Sequence, residues 1–261
     1  MQKTEKQFAV ITGASQGLGR SFAFELARRK INLILVSLPD QHLSLLSAEI
    51  ASRYGVETAF CETDLSVTEN VLALSEWINS NFRVRILINN AGLGGSKPFT
   101  KASVDYINAI IQLNVAATSI LTHQLLPNLM NQSSAYVLNI SSMAAFSPMG
   151  YKTVYPASKA FIHSFSRSLN AELKDTSVFV SVVNPGAMKT SPEITSRIEK
   201  QGFLGKLTLL NPDKVARFSI NHLFKRDSVI MVNPLGWFVL SILPVWIKLP
   251  VMTKAIKREV A

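Results

Sequence analysis

The chain has one cysteine, Cys61, in 261 residues, so it cannot close an internal disulfide and is expected in a reducing, cytoplasmic compartment. Set in the apolar run 56–61, that thiol reads as core filler. The histidines are few and scattered: His42, His123, His163 and His222 have no cysteine or acidic partners at ligand spacing, so no metal is expected. The N-terminal MQKTEKQ is charged rather than apolar, and no targeting leader is read there. Acidic residues are in deficit, 17 against 27 basic ones, giving a net charge of +10. There is nevertheless no run of five basic residues and no nucleic-acid module, which disfavours nucleic acid as a partner. An anionic membrane, a phosphate-bearing ligand or a plain solvated basic surface remain open. With 12 Gly and 11 Pro there is no low-complexity stretch and no linker. Hydrophobic residues make up 48% of the chain, which excludes disorder and provides for one large core, so a single domain spanning 1–261 is expected.

What is present is an alternation of short apolar runs with helical patterns. Strands are predicted over 8–12, 32–37, 56–61, 85–89, 135–141, 177–183 and 228–232. Helices are predicted over 17–30, 40–54, from Ser66, in two stretches reaching Met130, over 153–175, and from Asn211-Pro212, with Asn211 as N-cap. Ser66-x-x-Glu69 has the form of a capping box. The strands are continuously apolar rather than alternating, so both sheet faces are covered. With helices between strands, this is an α/β fold: a doubly wound parallel sheet of about seven strands with helices on both faces.

Thr12-Gly13-Ala-Ser15-Gln16-Gly17-Leu18-Gly19 joins the first strand to the first helix. Gly13 permits a tight turn, Gly17 lets backbone approach a diphosphate, and Gly19 lets helix and strand pack closely. The helix N-terminus then faces the anion. Further along, Tyr155-Pro-Ala-Ser-Lys159 places a phenol and an ammonium on one helix face. A free phenol has a pKa of about 10 and exchanges protons poorly near neutrality. A neighbouring cation is expected to lower that value and make Tyr155 a usable acid/base. Ser142 ends the fifth strand, at the crevice edge of a parallel sheet, where its hydroxyl can bond a substrate oxygen. Ser141 points the other way in an extended strand and is not favoured.

These motifs, in this order and at these places, resemble the short-chain dehydrogenase/reductase family over nearly the whole chain. The resemblance implies an NAD(P)-dependent oxidoreductase. It assigns Asn114 to a water-holding place in a proton relay, and gives Lys159 the nicotinamide ribose as well as the phenol. Cofactor contacts are implied for Ser15, Gln16, Leu18, Asp64, Leu65, Asn90, Ala91, Gly92, Tyr155, Lys159, Pro185, Gly186 and Thr190. It further implies a homo-oligomer, dimer or tetramer.

The second strand ends on Ser37 and Leu38, where an acid would select against a 2′-phosphate. That absence and the basic net charge favour NADP(H), while Asp40, close behind, leaves NAD(H) open. The segment 187–210, with Phe203, Leu204, Leu207, Leu209 and Leu210, is read as an apolar substrate lid or as ordinary packing. From Asn233 to Ile247 the chain runs 15 residues without charge, short of the roughly 20 needed to span a bilayer. Lys248, Lys254, Lys257 and Arg258 follow. Three readings of the extension 233–261 stay open: peripheral membrane contact through 234–258, a cap on a hydrophobic substrate pocket, or a subunit interface. The expected function is ketone and secondary alcohol interconversion on an acyl-chain or steroid-like substrate. The alternative is a non-catalytic dinucleotide-binding or membrane-peripheral scaffold.

Overall fold

The computed structural model describes residues 6–188 and 209–260. Seven strands form one sheet: β1 (Gln7–Thr12), β2 (Asn32–Ser37), β3 (Thr58–Glu62), β4 (Arg83–Asn89), β5 (Ala135–Ile140), β6 (Val178–Asn184) and β7 (Val229–Met231). Their order is β3-β2-β1-β4-β5-β6-β7, every pair parallel. The order reverses between β1 and β4, and the crevice at that switch point lies beyond their C-terminal ends.

Alternation within each strand divides the core in two. Ala9, Ile11, Leu33 and Leu35 face α1 (Gly17–Arg28), α2 (Leu43–Tyr54) and a later helix over 212–224. Phe8, Val10, Ile34 and Val36 face α3 (Thr68–Asn81) and the long helix that follows β4. That helix runs as α4 (Val104–Ile111), a π-helical segment (Gln112–Ala117) and α5 (Thr118–Met130). It is long and apolar enough to cross a membrane, yet Leu121, Leu125 and Leu129 are buried in the second core layer. Among the described residues the remaining α-helices are α6 (Val154–Glu172), α7 (Pro212–Phe224), α8 (Pro234–Ile242) and α9 (Val245–Val260).

Boundaries depart from the sequence expectations where local hydrogen bonding competes. The Ser66 capping box does not form. The Ser66 backbone N–H and hydroxyl both donate to Asp64 Oδ1 at 2.8 Å, and α3 begins at Thr68 with no side-chain cap. A carboxylate two residues away outcompetes a helix terminus for the same hydroxyl. Strand β3 starts at Thr58 because the Glu57 N–H donates to Asn32 Oδ1. Helix α2 starts at Leu43 rather than Asp40, since Asp40 and His42 hold left-handed φ of 61° and 53°. Asn211 does cap its helix, accepting from Asp213 and Lys214.

Candidate active site

The glycine turn is built by sterics. Gly13 and Gly17 adopt φ of 64° and 53°, a region costly for residues with a Cβ. A Cβ on Gly19 would lie 2.0 Å from the Gly13 carbonyl oxygen and 2.6 Å from Asn90 Nδ2, so no other residue fits. Helix α1 opens at Gly17 behind Gln16, with no side-chain cap and no acid in its first turn. Its first backbone N–H groups therefore have no side-chain partner, as an anion such as a diphosphate requires. Leu18 is buried in the core and can offer the crevice only backbone. Asn90 locks the turn to β4: its Nδ2 donates to the Thr12 and Gly13 carbonyls at 2.9 and 3.1 Å. Thr12 Oγ1 accepts the Asn90 and Ala91 N–H groups in return. Thr12 was not singled out from sequence, although it stands in the motif.

Several expected cofactor residues are at the crevice edge but already engaged. The Ser37 hydroxyl is buried and donates to the Leu38 carbonyl at 3.0 Å. The Asp64 carboxylate holds Ser66, and Leu65 packs into the core. Pro185 accepts the Met143 N–H at 2.9 Å, which joins the turn after β6 to the turn after β5. Gly186 follows it. Thr190, Phe203, Leu204 and Leu207 lie outside the described residues. At the ends of that segment, Leu210 N–H donates to Ala187 and Met188 pairs with Leu210.

Asn114, Ser142, Tyr155 and Lys159 converge. Asn114 sits in the π segment, where one extra residue per turn breaks helical register. Its Oδ1 accepts the Leu93 N–H at 2.8 Å, and its Nδ2 donates to Leu93 O and Ser158 Oγ, both at 2.9 Å. Both N–H donors are used, so a water here would be held through Oδ1 or the main chain. The Ser142 hydroxyl accepts the Ala144 N–H at 3.1 Å and is hydrogen-bonded to the Tyr155 phenol. Ser141 donates to the Lys159 carbonyl at 2.7 Å and is buried, as a structural residue would be.

The electrostatics correct the sequence expectation. Burial pushes the Tyr155 phenol above its usual value, and the Ser142 bond opposes this. Lys159 does not pull it down: its Nζ donates to the Ile140 carbonyl at 2.8 Å and lies 5.9 Å from the phenol ring centroid. Burial lowers the Lys159 ammonium to about 8. The buried cation is held by a backbone dipole rather than by a counter-ion.

The stretch after β4 makes room for these side chains. A Cβ on Gly92 would lie 3.2 Å from Asn114 Oδ1 and 3.3 Å from Lys159 Nζ, and one on Gly94 would lie 3.4 Å from the Tyr155 ring. Gly94 carried no sequence signal, since its role depends on a chain contact across the crevice. Nearby, His163 Nδ1 lies 3.2 Å from Asn184 Oδ1, and its ring meets Phe146 edge-on. Beside the site, a cavity of about 440 Å³ is lined by apolar groups, among them Ala144, Met149, Pro156, Ala160 and Leu249.

The chain as a whole is similar to known proteins. The chain matches the family profile described as short chain dehydrogenase over residues 7–201. It belongs to the short-chain dehydrogenase family. Against the very-long-chain 3-oxoacyl-CoA reductase of Anas platyrhynchos it is 33% identical, over 91% of this chain and 76% of that protein. Against the inactive hydroxysteroid dehydrogenase-like protein 1 of Pongo abelii it is 34% identical, over 71% of this chain but only 57% of that protein's length. The NADPH-bound short-chain dehydrogenase of Sphingobium yanoikuyae superposes with a TM-score of 0.80 at 28% identity, covering 90% of this chain and 92% of that one. One relative is named inactive, so family membership alone does not establish turnover; the residues must.

Proposed function

We propose that this protein is an NADP(H)-preferring oxidoreductase that interconverts a ketone and a secondary alcohol on an apolar, acyl-chain or steroid-like substrate. The observation that carries the reading is the meeting of the Ser142 and Tyr155 side chains, set one helical turn from the buried Lys159 ammonium. A nicotinamide bound in the crevice would supply or accept the hydride. The glycine turn and the uncapped α1 terminus fit its diphosphate, and Gly92, Ala91, Pro185 and Gly186 would border its ring. Asp64, Leu65 and Ser37 would border the adenosine end.

The chain's own residues do the remaining work. With Ser142 beside the Tyr155 phenol, a carbonyl oxygen bound there would accept a hydrogen bond from each hydroxyl. In reduction, Tyr155 gives its phenolic proton to that oxygen as negative charge develops there, and Ser142 steadies it. Lys159, fixed on the Ile140 carbonyl, would hold the ribose hydroxyls of the bound nicotinamide. Asn114 fixes the Leu93 backbone and Ser158, and so the floor beneath the phenol. In oxidation the same proton returns.

The apolar cavity beside Ser142 and the reductase relative's acyl substrate both support a hydrophobic substrate. Ser37 rather than an acid at the end of β2 supports NADP(H), as does the NADPH-bound neighbour; Asp40, three residues on, keeps NAD(H) the competing cofactor. The single cysteine supports a cytoplasmic location. Exposed Ile111 on α4 and the stacked Phe161 and Phe165 on α6 support a homo-oligomer.

A panel of ketones and secondary alcohols assayed with both cofactors tests this. Turnover of bulky apolar ketones with NADPH is expected, falling about 10²- to 10⁴-fold in Tyr155→Phe. Cofactor affinity should survive that change. Full turnover by Tyr155→Phe, or none by the wild type across the panel, sinks the reading. The scaffold alternative predicts that second outcome.

A further inference from the structure

We propose that the C-terminal helices α8 and α9 dock this protein on the surface of an anionic lipid bilayer. Three observations converge, none of which depends on the catalytic reading.

The first is the outward face. Leu235, Phe238, Ile242, Val245, Trp246 and Val251 are all exposed, Leu235 at 74% and Trp246 at 75%. Scattered exposed apolar side chains are ordinary, but a contiguous set on one helix pair marks a contact surface. Large apolar residues with an exposed tryptophan suit the boundary between headgroups and acyl chains. Neither helix is long enough to cross the bilayer, and Pro244 separates them, so the contact lies along the surface.

The second is the placement of charge. From residue 228 to residue 258 the chain has no acidic residue. Lys248, the one cation within the apolar stretch, does not join the basic tail as its sequence position suggests. Its ammonium turns inward and donates to the Phe146 and Leu240 carbonyls at 2.7 and 2.9 Å. The outer face is thus left without charge, while Lys254, Lys257 and Arg258 stand exposed one or two turns beyond it. An apolar patch bordered by cations complements a bilayer bearing acidic lipids. It complements a second copy of itself poorly, because a two-fold contact would gather six cations while the neighbouring acid, Glu259, is already engaged by Ser96.

The third is rigidity. The inner face is fixed to the body: Gly150 N–H donates to Thr253 Oγ1 at 2.9 Å, Ser96 bonds Glu259, Trp237 meets Phe146 edge-on, and Ile256 is buried. The outward residues are therefore held in place before any partner arrives. Leu249, which also lines the apolar cavity, sets that cavity directly behind the docking face.

The test uses the full chain and flotation with vesicles of phosphatidylcholine alone or mixed with phosphatidylserine. The protein is expected to float with the mixed vesicles and to release as salt rises. Trp246 emission should shift to shorter wavelength on binding. Ile242→Ser with Trp246→Ser should abolish flotation and that shift. The triple change Lys254→Gln, Lys257→Gln, Arg258→Gln should weaken binding about 100-fold, at roughly fivefold per basic residue. The proposal falls if the wild type stays in solution with both vesicle types. It also falls if both variants float as well as wild type. A concentration-dependent dimer that Trp246→Ser dissociates, without lipid binding, would assign the face to self-association instead.

Discussion

Burial acts on Tyr155 and Lys159 in opposite directions along the pH axis: the phenol rises and the ammonium falls to about 8. At neutral pH the phenol therefore keeps its proton, which is the form carbonyl reduction consumes. Alcohol oxidation needs the phenol to lose that proton first. Initial rates measured in both directions should show reduction sustained near neutrality and oxidation climbing only in alkaline solution, as pH approaches the phenol's raised value. An oxidation rate that falls over that range would contradict the assignment of Tyr155. At Gly19 the prediction concerns stability. Gly19→Ala forces a Cβ against backbone at 2.0 Å, and neither the Gly13 carbonyl nor α1 can retreat without opening the sheet. A loss of about 3 kcal/mol or more is expected in denaturant unfolding. These residues were legible in the sequence because their spacing is local: a turn between strand and helix, and a pair four apart on one helix. The direction of the phenol's shift was not legible, because it comes from burial of the phenol, which the fold sets.

At the scale of elements, the π segment inside the helix from 104 to 130 was invisible to residue periodicity, which cannot tell one extra residue from none. Its work is to aim Asn114 at Leu93 and Ser158 while α5 keeps its apolar face on the sheet. Deleting Ala116 should return the helix to regular α geometry and turn Asn114 away by about 100° relative to α5. Helix content by circular dichroism is expected to persist while turnover is lost; undiminished turnover would mean Asn114 has no positioning role. The strands were read nearly to the residue, since continuous apolar runs between helices have few other solutions. The errors lay at edges, where Asp64 takes Ser66 from α3 and Asn32 holds Glu57 out of β3. The packing of α8 and α9 was also beyond sequence reading. Its anchors, Gly150 with Thr253 and Ser96 with Glu259, join residues far apart in the chain.

For the whole molecule, the sheet order also describes how the chain is made. β2 adds to β1, β3 adds to β2, and β4 then takes the free edge of β1. From there β5, β6 and β7 each join the strand made just before. No strand has to be inserted between two already paired, so the sheet can grow outward at its open edge as the polypeptide leaves the ribosome. Every intermediate length exposes an unpaired strand edge that the next segment covers. The half that builds the glycine turn is complete in outline once β4 exists, well before Tyr155 is translated. A nascent chain paused between β4 and β5 would carry a formed dinucleotide turn and the bare flank of β4, the stage at which a chaperone has most to shield.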